Sequence, residues 1–390
     1  MAKYNAYLQK MIDETAAKIE AMNGFEAPQL AEPIRVHDFN HYANPWDPLY
    51  NDAEYAAKTR FGKIPAFPSF FEFICSSVHM PSLDPRGGFC FGMYAGENFE
   101  LFKPMFPGET YKVFHKPSAM TDITELVKDM KQEYLDWPKE IPIFSWKEQD
   151  IQVFDSKDEL VANFQHLGDL TIFDAQVDNV KKAEALPFKQ HYYTEEEWEF
   201  IHSIMDGEII RGALPRYWED VNVGDKITPA TVGPTTIFDM IGHFANCAVK
   251  DEKPATPLRY EREHNPAAFG HDPITNNYAH PIGMHLYDAE RAKGGGMPHY
   301  FHFGNYGRNC LMRMITNWMG DDGDIRKFTW RHMKMTPTGD CLIAYGKVID
   351  KRIENGEPIV EIDMWLENMC RGNISEGGRV TVKLPTKNGK

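Results

Sequence analysis

Between residues 263 and 302 the chain gathers six of its 15 histidines, His264, His271, His280, His285, His299 and His302, together with Glu263 and Asp272. Imidazole changes charge between pH 5 and 8, and two neighbouring rings can hold one charged and one neutral form near pH 7. General acid–base chemistry is therefore what this segment offers. His264, His271 and His280 also suit ordinary loop positions. No two of His280, His285, His299 and His302 stand four apart on one helix face around a glutamate, so no metal site is expected. Gly294-Gly295-Gly296 lacks the G-x-G-x-x-G and Walker spacings and reads as a flexible loop. The six cysteines are scattered, with no C-x-x-C pair, and fit buried free thiols in a reducing compartment.

The elements that must position these groups come in two sets. Asp52-Ala53-Glu54-Tyr55-Ala56 matches Asp288-Ala289-Glu290-Arg291-Ala292 at an offset of 236. Ile64-Pro65-Ala66 matches Met297-Pro298-His299 at 233, and Pro107-Gly108-Glu109 matches Thr338-Gly339-Asp340 at 231. Constant spacing of this kind marks a duplicated unit. Asp52 and Asp288 also suit plain helix N-caps. After Pro68, the residues Phe70, Phe73, Ile74, Ser77 and Val78 have helical spacing; after Gly304, Leu311, Met314, Ile315 and Trp318 repeat it as core. Each helix precedes alternating segments, among them Thr110–Phe114, Gln152–Phe154, Cys341–Val348 and Val360–Leu366, that predict an antiparallel sheet. A helix apolar on most sides is satisfied only when a curved sheet encloses it, which is the hotdog arrangement. The expected fold is α+β, a double hotdog. Residues 1–30 read as a helical arm, 31–175 as the first hotdog domain, 176–213 as a helical connector with a capping box at Thr194 and Glu197, and 214–390 as the second domain.

A length of 390 residues suits two domains, and 42% hydrophobic with 25% charged residues is ordinary for globular chains. The net charge of −15 repels nucleic acid and anionic membranes, so neither is an expected partner. No window approaches 18 uncharged apolar residues and the first 20 residues carry six charges, so a soluble cytoplasmic protein is expected.

At the repeated landmarks the sequence resembles the MaoC-like dehydratases, which include (R)-specific enoyl-CoA hydratases. Phe39-Asn40-His41-Tyr42-Ala43, Asp47-Pro48-Leu49-Tyr50-Asn51-Asp52 and Pro65-Ala66-Phe67-Pro68-Ser69-Phe70 resemble the hydratase segment and the entry to the central helix. Arg216-Tyr217-Trp218-Glu219-Asp220-Val221-Asn222-Val223-Gly224-Asp225 resembles the first strand and turn of a MaoC domain. Gly233-Pro234-Thr235-Thr236 and Asp239-Met240-Ile241 resemble its next helix, and residues 316–323 resemble a stretch of certain tandem members.

The resemblance implies an acyl-CoA hydratase or dehydratase with no cofactor beyond the CoA thioester substrate. The family places an Asp and, five residues later, a His in the hydratase segment, and aims a backbone N–H at the thioester oxygen. His285 matches the His, but His280 stands five residues earlier, so a carboxylate such as Asp272 or Glu263, or His280 itself, must assist. In the first half Tyr50 and Pro45 occupy those positions, so that half is expected to be degenerate and to form pocket wall, with Tyr50 and Asp47 facing substrate. Gly304 and Asn305, with Gly283, are the expected substrate-binding positions in the second half. A bulky or cyclic acyl group is expected, because one half has given up its catalytic segment. A non-catalytic acyl-CoA-binding subunit and a thioesterase are the rival readings. A homodimer, or a hetero-oligomer with another hotdog chain, is the expected assembly.

Overall fold

The computed structural model describes residues 26–75, 88–116, 143–174, 188–247, 299–332 and 336–389, with isolated positions and short segments elsewhere. The first element is strand β1 (Glu26–Leu30), and helix α1 (Pro33–Ala43) follows it. Two single-turn helices, Pro48–Asn51 and Ala53–Ala56, are capped by Asp47 and Asp52. A 3-10 turn at Pro68–Phe70 leads into α2 (Phe71–Cys75). Strands β2 (Gly88–Leu101), β3 (Thr110–Lys116), β4 (Ile143–Phe154) and β5 (Leu160–Asp174) complete the first half. The connector carries α3 (Glu195–Gly207), whose capping box joins Thr194 and Glu197 through both side chains. In the second half come β6 (Lys226–Val232), α4 (Ile237–Cys247), α5 (Gly304–Met319), β7 (Asp324–His332), β8 (Leu342–Glu354), β9 (Glu357–Asn368) and β10 (Ser375–Lys383).

The strands form one antiparallel sheet in the order β1-β3-β4-β5-β2-β7-β10-β9-β8-β6. This order is a palindrome: exchanging each first-half strand for its second-half counterpart reverses the list onto itself. The two halves are therefore related by a pseudo-twofold axis that passes between β2 and β7. At that seam Phe99 pairs with Phe328, their rings stacked at 4.8 Å and both buried. Full burial of each such ring stabilises the join by about 1.5–3 kcal/mol.

Hydrogen bonds define the repeat more sharply than sequence landmarks do. The Ala66 N–H donates to the Met105 carbonyl at 2.8 Å, and the His302 N–H donates to the Thr336 carbonyl at 2.8 Å. Ala66 thus corresponds to His302, and Pro68 to Gly304, at the offset of 236 that also separates Asp52 from Asp288. The match of Pro65 to Pro298 is three residues out of register, because a shared proline was mistaken for a shared position.

Helix α5 is buried on nearly every side, with Leu311, Met314, Ile315 and Trp318 in the core as their spacing predicts. It ends at Gly320, whose φ of 73° is a left-handed value, and a Cβ there would lie 2.9 Å from the Gly212 carbonyl. The Asp321 N–H donates to that same carbonyl, fastening the helix end to the connector.

Two local expectations change. Residues 26–30, assigned to the helical arm, add a strand to the edge of the sheet by pairing with β3. The segment expected to begin the second half as a strand forms a 3-10 turn at Trp218–Asp220, and the strand starts only at Lys226. Cys75, Cys310 and Cys341 are buried free thiols. Among the described residues no helix is long and apolar enough to cross a membrane.

Candidate functional site

Helix α4 starts where Asp239 accepts from the Thr236 N–H at 2.6 Å and from its hydroxyl at 2.7 Å. One turn on, Met240 and His243 fall three apart on the buried face, and both are fully buried. His243 is therefore held against the N-terminus of α5. Its Nδ1 lies 2.7 Å from the Tyr42 hydroxyl of α1 and its Nε2 lies 2.7 Å from the Asn305 Oδ1. The Asn305 amide nitrogen donates to Glu72 at 3.1 Å, which leaves its oxygen to accept from the imidazole. His243 consequently donates from Nε2, and its Nδ1 pairs with the Tyr42 hydroxyl. The rings of Phe303 and Tyr306 pack around it at 5.1 and 5.5 Å.

The chain of polar contacts continues across the pseudo-twofold axis. Glu72 pairs with the Arg308 Nη2 at 2.5 Å, and Arg308 Nη1 donates to both oxygens of Glu97 at 2.7 Å. Arg308 is fully buried, and Asn309 accepts from its Nε and Nη2. One guanidinium cannot compensate two desolvated carboxylates equally. Burial works against charge at Glu72, but Arg308 outweighs it and holds that carboxyl below the ordinary range. At Glu97 burial wins over Arg308 and pushes the carboxyl up to about 7. Ligand atoms of Glu72, Glu97 and His166 lie within 4.8 Å of one another. Arg308 pairs with both glutamates of this group.

Helix α5 opens towards this chain. Gly304 and Asn305 are partly exposed, and among the described residues their backbone N–H groups have no acceptor, as expected for the first turn of a helix. With the helix dipole they offer a place for an oxygen that gains negative charge. A glycine at 304 was expected to let a thioester approach. The structure gives that space to Tyr94, whose ring meets the position a Cβ would take. Tyr94 is itself fixed by the Trp330 Nε1, which donates to its hydroxyl at 3.1 Å. His302, two residues before the helix, lies 2.5 Å from the Thr235 hydroxyl through Nε2.

The remaining expected positions separate into two groups. His285, His280, Asp272 and Gly283 lie outside the described residues. Tyr50 and Asp47 belong to a buried region of the first half. Tyr50 packs its ring on Phe67 at 5.1 Å, and burial raises its phenol well above the ordinary range. Asp47 accepts from the Leu49 N–H at 3.0 Å as a helix cap, and burial pushes its carboxyl up to about 7. Glu263, weighed as a carboxylate partner, is exposed and paired with Arg259 at 2.7 Å. His299 contacts Gln190 rather than His302. The sequence reading missed Tyr42, His243, Glu72 and Arg308. The available signals were a histidine on the apolar face of α4 and an arginine in the first turns of a helix that is otherwise core.

No protein-family model and no curated protein matches the sequence. Solved structures do. A MaoC-like dehydratase superposes with a TM-score of 0.55 at 14% identity, over 94% of this chain and 99% of that one. The chain has the double hotdog fold of the MaoC-like dehydratases. A MaoC-like dehydratase from Phytophthora capsici gives 0.50 at 12% identity over 96% and 99% of the two chains. A MaoC domain protein from Chloroflexus aurantiacus J-10-fl gives 0.50 at 12% identity over 94% and 96%. The likeness runs the length of both chains, so the duplicated architecture itself is shared.

Proposed function

We propose that the protein is a hydro-lyase that adds water to, or removes it from, an acyl-CoA thioester, with chemistry confined to the second half. The observation that carries this reading is the first turn of α5: two N–H groups without acceptors stand beside a polar chain that fixes Asn305. In hydration a base takes a proton from water as its oxygen bonds to the β-carbon of a 2-enoyl thioester. The displaced π electrons reach the thioester oxygen as an enolate, and the α-carbon then takes a proton. Gly304 and Asn305 would stabilise the enolate oxygen through their N–H groups. His285 would carry the proton, assisted by His280 or Asp272, while His243 positions Asn305. The first half cannot offer the same pair of donors, since Pro68, which stands where Gly304 does, has no N–H group. Surrender of that half's catalytic segment favours a bulky or cyclic acyl group.

Incubation with a panel of 2-enoyl-CoA thioesters, followed by mass spectrometry, tests the proposal. The expected product has gained one water, and His285→Ala loses at least a hundredfold in rate. Release of free CoA without hydration, or full activity in His285→Ala, overturns it.

A further inference from the structure

A cavity of about 240 Å³ at the entry to the first half's helix has Ala66, Pro68, Leu101, Met105 and Ile325 in its wall, with Arg60, Lys103 and Asp321 among its charged lining residues. The repeat assigns each of these a counterpart in the second half. The paired carbonyl contacts equate Ala66 with His302 and Met105 with Thr336. Counting back four residues from Met105 and from Thr336 reaches Leu101 and His332, the last residues of β2 and β7. Counting back eleven reaches Tyr94 and Ile325, and a register shift follows each, between Tyr94 and Gly96 and between Ile325 and Lys327. Pro68 corresponds to Gly304, and Tyr94 packs on Gly304 as Ile325 joins Pro68 in the cavity wall. Four apolar positions of that wall, Ile325, Ala66, Leu101 and Met105, thus become Tyr94, His302, His332 and Thr336 in the other half.

Two side-chain atoms of this lining are buried without a hydrogen-bond partner among the described residues: His332 Nδ1 and Thr336 Oγ1. Their residues are 7% and 1% exposed. Buried polar atoms left without partners are rare and cost stability unless a ligand completes them. Burial also holds His332 low, at about 4, so near neutral pH it meets a ligand as an uncharged donor and acceptor.

We propose that the acyl group accepted by the second half bears an uncharged oxygen, a hydroxyl or keto group, which His332 and Thr336 recognise, rather than a plain hydrocarbon chain. This rests on the hydro-lyase reading for its substrate class, and a site built to hydrogen-bond an oxygen rejects the analogue lacking it.

The test compares two 2-enoyl-CoA thioesters of equal chain length, one with a hydroxyl or keto group further along the acyl chain and one with alkyl carbon there. Wild type is expected to prefer the oxygenated compound by at least about a hundredfold in kcat/KM. His332→Leu with Thr336→Met installs the residues that the first half carries at these positions, and should reduce that preference to within threefold. Equal kcat/KM in wild type, or an unchanged preference in the variant, overturns the proposal. Calorimetric binding of the corresponding saturated acyl-CoA pair to wild type reads the same preference without turnover. If neither enoyl compound is hydrated, the hydro-lyase reading fails alone, and the binding preference still decides this one.

Discussion

His243 Nε2 and Asn305 Oδ1 stand 2.7 Å apart, joining the buried face of α4 to the first turn of α5. If the Asn305 backbone N–H meets the reacting thioester, this side-chain contact helps to hold the first turn of α5 that carries it. A shift of about 1 Å in such a group can cost a hundredfold. His243→Ala should therefore lower kcat by about a hundredfold while KM stays within threefold. Tyr42→Phe, which only removes the hydroxyl paired with Nδ1, should cost about tenfold or less. Steady-state kinetics on the best enoyl-CoA substrate reads both.

Gly304→Ala places a methyl group against the Tyr94 ring. The expected cost is about 1–3 kcal/mol of stability from overpacking, with loss of activity as the α5 entry shifts. Tyr94→Ala should relieve the clash, so the two changes together destabilise less than their separate effects add to. Urea unfolding of the two single variants and the double variant measures that coupling.

Arg308→Met leaves Glu72 and Glu97 facing each other with no cation between them. Breaking a buried ion pair from one side typically costs about 3–5 kcal/mol. Adding Glu72→Gln and Glu97→Gln should recover most of it, because the penalty lies in the stranded carboxylates. Denaturant midpoints of the single and triple variants decide the point.

Asp47 makes folding sensitive to pH. Its carboxyl rises from 3.8 to about 7 on burial. Below pH 4 folded and unfolded chains both hold the proton, so the group has no effect. Between pH 4 and 7 the folded chain keeps a proton that the unfolded chain releases, and stability falls as pH rises through this window. Asp47→Asn keeps an oxygen for the Leu49 N–H but cannot titrate. Its stability relative to wild type should grow from pH 4 to 7, by about 4 kcal/mol at most, and level off above. Parallel urea titrations at several pH values provide the measurement.

Much of the architecture was readable from local pattern. Alternation marked β3, β8 and β9, glycine and proline marked the entries to the central helices, and the caps at Asp52 and Thr194 followed from short side-chain oxygens before helical turns. The candidate site was less legible because its contacts are distant in sequence. Tyr42 meets His243 across 201 residues, and Arg308 meets Glu97 across 211. No periodicity reports such pairs. Asp47 shows the converse error: a carboxylate in a suggestive motif is occupied by the backbone of its own turn. The repeat slipped by three residues at Pro65 because residue identity is a poorer guide to equivalence than the hydrogen bond from Ala66 to Met105.

Glu72 and Arg308 each lie four residues beyond the equivalent positions Pro68 and Gly304, so the axis relating the halves brings this one position face to face with itself. A symmetric dimer of either half alone would set two glutamates or two buried arginines against each other. Opposite charge at a self-facing position is open only to a chain in which the two copies differ. At this position each half is the other's complement, so a mixed pair is favoured over either half paired with itself.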